Sequence, residues 1–187
     1  GSIAEDYFEY AGIPEEAYLT NSNPSELTSC DDIYIMPHAD PHDWDNSWSN
    51  TLINFVNNGG YLWAGCHAVS SLDGLMVPNA YFLSEEGLLH WDDHDDGNLN
   101  YTYDPAYDGD PIMQFIGTFD EATNKGSEQI YMPDKGDNWR SSTKIAVYQP
   151  NHTDADANEA ALIAYGHAYG DVNKGMVMYQ AAHRLDE

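Results

Sequence analysis

Basic residues are what this chain most lacks. Six lysines and arginines stand against 32 aspartates and glutamates, a formal net charge of −26 over 187 residues. A surface so poor in cations cannot track phosphates, which excludes nucleic acid as a partner, and the same repulsion disfavours anionic lipid. Long apolar runs are missing too. No stretch approaches the roughly 20 residues of a membrane span, so membrane insertion is not expected. Cysteine is scarce, with two in the chain, which rules out a disulfide framework. None is needed, because a chain of this size buries about 70% of its unfolded surface. Cys30 precedes the apolar run 33–36, whereas Cys66 follows the run 61–64. On neighbouring parallel strands the two thiols would lie at opposite ends of a sheet, beyond disulfide reach.

Short carboxylates are what the chain has in excess. Aspartate outnumbers glutamate, and asparagine and tyrosine are abundant. Such a surface repels itself unless cations screen it, and the composition is the one expected of an exported, extracellular or cell-surface protein.

The apolar pattern predicts an α/β domain. Residues 4–11 read as a short helix stopped by Gly12 and Pro14, and residues 17–20 as a brief strand. Residues 32–36 read as a buried strand leading into the loop Pro37-His38-Ala39-Asp40-Pro41. Trp48, Leu52, Phe55 and Val56 share one helical face, and that helix ends at Asn57-Asn58-Gly59-Gly60. A strand follows at once. Three further apolar runs, 144–148, 160–165 and 175–182, close the chain, the last two spaced for an antiparallel return. Alternation of this kind is the signature of an open, mostly parallel sheet with ligands at the carboxyl ends of its strands. Residues 75–142 lack that periodicity and read as one long irregular insertion overhanging the site, in a single domain with core 4–74 and 143–187. A domain of this type normally opens with a central strand, yet this chain opens on the helix. Either that strand has been removed, or its slot between 17–20 and 32–36 is filled by something else.

Cys66 is the residue on which an enzymatic reading depends. Residues 61–72, Tyr-Leu-Trp-Ala-Gly-Cys-His-Ala-Val-Ser-Ser-Leu, describe an apolar strand running through a cysteine with small neighbours, Ala64 and Ala68, into a helix. A nucleophile elbow is written this way. The helix start would lower the thiol pKa and offer N–H groups to an oxyanion. His183, after the last apolar run, is the candidate base, and Asp186 could orient its ring. His67 contributes its backbone N–H to an oxyanion hole, whose other half comes from Ala39 or Asp40 beside His38.

Taken together, Asp32-Ile-Tyr-Ile-Met-Pro-His, Asn58-Gly59-Gly60, the Tyr61-Leu-Trp-Ala-Gly-Cys-His-Ala strand, and Tyr165-Gly-His-Ala-Tyr-Gly through Gly175-Met-Val-Met-Tyr-Gln-Ala-Ala-His183 resemble the class I glutamine amidotransferase-like superfamily. The nearest branch is the ThuA-like (trehalose-utilisation) domains. The resemblance covers both ends of the chain and omits the insertion. It implies a flavodoxin-like sheet with helices on both faces, a nucleophile-like role for Cys66 with His67 beside it, and His183 in the terminal histidine position. Three departures count against glutamine hydrolysis: Ala64 and Ala68 replace the elbow glycines, Leu185 stands where those enzymes carry an acid, and Pro37-His38-Ala39-Asp40-Pro41 replaces their glycine-rich oxyanion loop. The expected activity is therefore cysteine-dependent hydrolysis or acyl transfer on a small amide- or sugar-related substrate, with no cofactor required. Aromatic residues of the insertion, Trp91, Tyr101, Tyr103 and Trp139, offer a stacking surface for a sugar.

Two other readings stand beside this one, the first on the same residues. His38, Asp40 and His42, with Cys66, His67 and His183, supply enough N, O and S donors for zinc, although Pro37 and Pro41 make the spacing that of a loop. Asp154, Asp156 and Asn158 alternate as the oxygen ligands of a calcium loop do, and 92–97 and 104–110 are similarly dense in acid. On that reading the chain is a non-catalytic, calcium-stabilised structural or binding module. Its partner would be a surface glycan, the remainder of a larger protein, or a chain supplying the absent strand.

Overall fold

The computed structural model describes residues 3–20, 23–36, 44–74, 77, 79–88, 95–96, 102–115, 129–130, 133–150 and 159–181. Helix α1 (Ile3–Tyr10) stops where Gly12 takes φ +69°, a conformation glycine reaches without strain. The N–H groups of Gly12 and Ile13 there return to Glu9 and Phe8. The strand expected over residues 17–20 does not form. A single 3-10 turn, Glu15–Ala17, occupies its start, Tyr18 packs its ring on Phe8 at 4.8 Å, and Leu19 stays 79% exposed. With no buried face and no ladder partner, nothing holds those residues extended.

Strand β1 (Ile33–Met36) leads, through residues outside those described, to helix α2 (Asn46–Asn57). Asp45 caps α2 by accepting from the Ser47 hydroxyl and from the Ser47 and Trp48 N–H groups, and these bonds, the hydroxyl's foremost, hold its carboxyl below the ordinary range. Strand β2 (Tyr61–Gly65) follows and passes through Cys66 into helix α3 (His67–Asp73). Within the insertion come β3 (Asp95–Asp96), β4 (Thr102–Tyr103) and β5 (Gln129–Ile130); the chain closes with β6 (Lys144–Pro150), β7 (Glu159–His167) and β8 (Met176–Gln180).

Six strands form one open sheet in the order β1-β2-β8-β7-β6-β4, and β3 pairs with β5 apart from it. The pairings β1–β2 and β2–β8 are parallel, and the other three are antiparallel. Four strands therefore run one way, while β7 and β4 run the other. Alternation along β8 separates two apolar clusters. Val177 and Tyr179 join Tyr34, Met36, Leu62 and Ala64 beneath α2 (Leu52, Phe55, Val56) and α3 (Ala68, Val69, Leu72). Met178 instead borders a cluster of Ala146, Leu162, Ile163 and Tyr165, packed with Tyr107, Ile112 and Met113 from two 3-10 turns of the insertion. Both described helices of the sheet core thus share one cluster, and 3-10 turns close the other. The fold is a mixed α/β sheet.

Two described parts of the insertion are built into the core. β4 extends the sheet beyond β6, and Phe82 and Leu83 are fully buried beside α3. Among the described residues no helix is long and apolar enough to cross a membrane.

Candidate functional site

Because β1, β2 and β8 are parallel, their carboxyl ends meet at one edge of the sheet. The register aligns Met36 with Ala64 and Gly65 with Gln180. Cys66 stands at that edge, between the last residue of β2 and the first of α3, with φ 48° and ψ −119°. A residue with a β-carbon occupies such backbone space at a cost of about 1–3 kcal/mol, and keeps it only where its surroundings over-determine it. Here they do. The Cys66 N–H donates to Gln180 C=O at 2.9 Å, and its carbonyl accepts from Val69 N–H at 2.9 Å. Gln180 is fixed in turn, its Oε1 accepting from the Trp63 indole at 3.2 Å. Ala64 and Ala68, both fully buried, leave room for the turn. The cysteine is only 1% exposed. Neither cysteine is in a disulfide, and Cys30 is exposed at the opposite end of β1.

Of the other expected site residues, His67 opens α3. His38, Ala39, Asp40 and His42, which follow β1, and His183 and Asp186, which follow β8, lie outside the described residues. So do Asp154, Asp156 and Asn158 of the calcium reading, and Trp91 and Tyr101 of the stacking surface. Tyr103 and Trp139 are described, and both serve packing. Tyr103 borders the second cluster, while Trp139 packs on the first and donates its indole N–H to Asp134 C=O at 2.8 Å. Within the acid-rich stretch 104–110, Asp104 caps a 3-10 turn through Ala106 N–H. Asp110 accepts from Lys144 at 2.5 Å and the Tyr165 hydroxyl at 2.7 Å, contacts that lower its pKa. Among the described residues no three His, Cys, Asp or Glu side chains are grouped to hold a metal.

The chain matches no protein-family model and no curated protein.

A second polar group, beneath the helix that follows Cys66, was not read from the sequence. Asp73, the last residue of α3, is fully buried. Its Oδ1 accepts from Leu83 N–H (3.0 Å), Ser84 N–H (2.7 Å) and the Ser84 hydroxyl (2.6 Å), and its Oδ2 accepts from the Tyr179 hydroxyl. Burial pushes the Asp73 carboxyl up despite these donors, and burial together with the nearby carboxyl pushes Tyr179 up as well. One signal was available. An aspartate in the last turn of an otherwise uncharged helix opposes the helix dipole and calls for another role.

A cavity of about 680 Å³ opens at the far end of the sheet, between α2 and the starts of β1 and β2, lined by Asp31, Asp32, Asn54 and Tyr61 among others. It lies at the strands' amino ends, away from Cys66.

Proposed function

We propose that this chain is a class I glutamine amidotransferase-like domain with a flavodoxin-like sheet, nearest to the ThuA-like branch, from an exported or surface protein. In this reading Cys66 is the nucleophile of a hydrolase or acyl transferase acting on a small amide- or sugar-related compound. The observation that carries it is the backbone at Cys66: a strained, doubly hydrogen-bonded turn between a parallel strand and a helix, at the carboxyl edge of the sheet. Serine and cysteine nucleophiles are presented in this way because the sharp turn separates the side chain from its own strand and aims it over the edge.

Sequence distance supports the rest of the constellation. His183 is three residues past Gln180, whose carbonyl holds the Cys66 N–H, and three residues span at most about 11 Å. His183 takes the thiol proton and returns it to the leaving group, and Asp186 orients its ring. The N–H of His67 and one from the Ala39–Asp40 loop hold the oxyanion.

Alkylation at neutral pH tests this assignment. Iodoacetamide, followed by peptide mass spectrometry, is expected to modify Cys66 faster than Cys30 although Cys30 is the exposed thiol, and His183→Ala is expected to slow Cys66 by about 10²-fold or more. Faster modification of Cys30, with Cys66 indifferent to His183, would remove the nucleophile.

A further inference from the structure

Helix α3 is fastened at both ends to the same strand. At its start, Cys66 N–H donates to Gln180 C=O; at its finish, the hydroxyl of Tyr179, one residue earlier on β8, donates to Asp73 Oδ2. The other carboxylate oxygen, with its three donors from Leu83 and Ser84, faces the insertion. The last carbonyls of a helix have no donors within it, and here the insertion supplies them. Ser71, Leu72 and Asp73 carbonyls accept from the N–H groups of Val77, Tyr81 and Leu88. That part of the insertion is pinned in turn. Tyr169, on the turn between β7 and β8, donates its N–H to Phe82 C=O and its hydroxyl to Asn79 C=O. Arg140 donates to the carbonyls of Tyr81 and Leu83, with its guanidinium 5.5 Å from the Tyr169 ring.

We propose that Asp73 is a positioning residue for Cys66, one whose carboxylate sets the rotation of α3 and thereby the aim of the thiol. The inference rests on Cys66 being the nucleophile. Its physical basis is length. Seven residues make two turns, about 10 Å, a helix with little stability of its own whose ends turn together. Burying a carboxylate at the carboxyl end of such a helix is opposed both by the helix dipole and by desolvation. Four donors from two separate elements offset that cost, and the result is a rigid tie between α3, β8 and the insertion. Loss of the Tyr179 donor leaves the insertion side of the tie in place but lets α3 turn relative to β8, the strand that also supplies the acceptor for Cys66 N–H.

The test uses the full chain with Cys30→Ser, so that iodoacetamide reports on Cys66 alone, and follows the alkylation rate from pH 5 to 10. Tyr179→Phe is expected to raise the pH at which Cys66 becomes reactive and to slow the reaction at pH 7 by about tenfold or more. Tyr165→Phe is the matched control, since it deletes the same kind of hydroxyl-to-carboxylate bond, to Asp110, on the opposite face of the sheet. Its profile should coincide with that of the parent. Asp73→Asn, which keeps an acceptor for the insertion and a group that can bond Tyr179, should retain more reactivity than Asp73→Ala. A Tyr179→Phe profile that superimposes on the parent, or an equal shift in Tyr165→Phe, overturns the positioning role while leaving the nucleophile standing. A parent in which Cys66 reacts no faster than an ordinary buried thiol overturns both.

Discussion

Cysteine at position 66 is held where its own backbone would not choose to be. At φ 48° and ψ −119° a β-carbon is strained, and glycine is not. The usual order of stability should therefore reverse at this one position. Cys66→Gly is expected to be more stable than Cys66→Ala by about 1 kcal/mol, after allowing for the greater freedom of glycine in the unfolded chain. Urea unfolding of the two variants decides it. An alanine variant more stable by the customary margin would mean that the turn is relaxed, and the argument from strain would lapse. This residue was legible in the sequence, because an apolar strand, small neighbours and a following helix can be read by eye. Asp73 was not, because its partners Ser84 and Tyr179 are 11 and 106 positions away and no local pattern joins them.

At the scale of elements, legibility followed burial. Runs 33–36, 61–65, 144–150, 159–167 and 176–180 form strands because each has an apolar face covered by the core, and residues 46–57 form a helix because Leu52, Phe55 and Val56 fall on one side. Residues 17–20 also looked extended, but they have no face to bury and remain at the surface as a turn. Strand β4 was invisible for the opposite reason. Two residues carry no periodicity, and only the neighbouring Tyr148 and Val147 of β6 make them a strand.

The junction between elements that brings β2 and β8 together is equally specific. Gly175 donates its N–H to Val56 C=O, and a β-carbon there would stand 1.8 Å from Gly60 O. Gly175→Ala is expected to cost about 3 kcal/mol or more, because backbone rather than a side chain must yield. Gly109→Ala, where a β-carbon meets nothing within 4 Å, should leave stability close to that of the parent. Thermal or denaturant unfolding of the pair checks this, and equal effects would contradict the packing described.

Charge governs the whole molecule. With a net charge of −26, compaction works against self-repulsion that salt relieves, since the screening length falls from about 10 Å at 0.1 M to about 3 Å at 1 M. The melting temperature should rise by at least about 3 °C between 0.05 and 1 M sodium chloride, equivalent to roughly 1 kcal/mol for a chain of this size. A flat or falling melting temperature would show that the carboxylates are already compensated by the fold. A rise produced by micromolar calcium in 1 M salt would instead point to a dedicated ion site and to the structural-module reading.

The topology of the whole sheet sends the chain out of β1, β2 and β8 at one edge, and the account depends on what gathers there. The most direct measurement is the crystallographic separation of Cys66 Sγ and the nearer ring nitrogen of His183. The account predicts about 4 Å or less, close enough for a proton to pass; a separation beyond about 8 Å with no water or ion between them would contradict it.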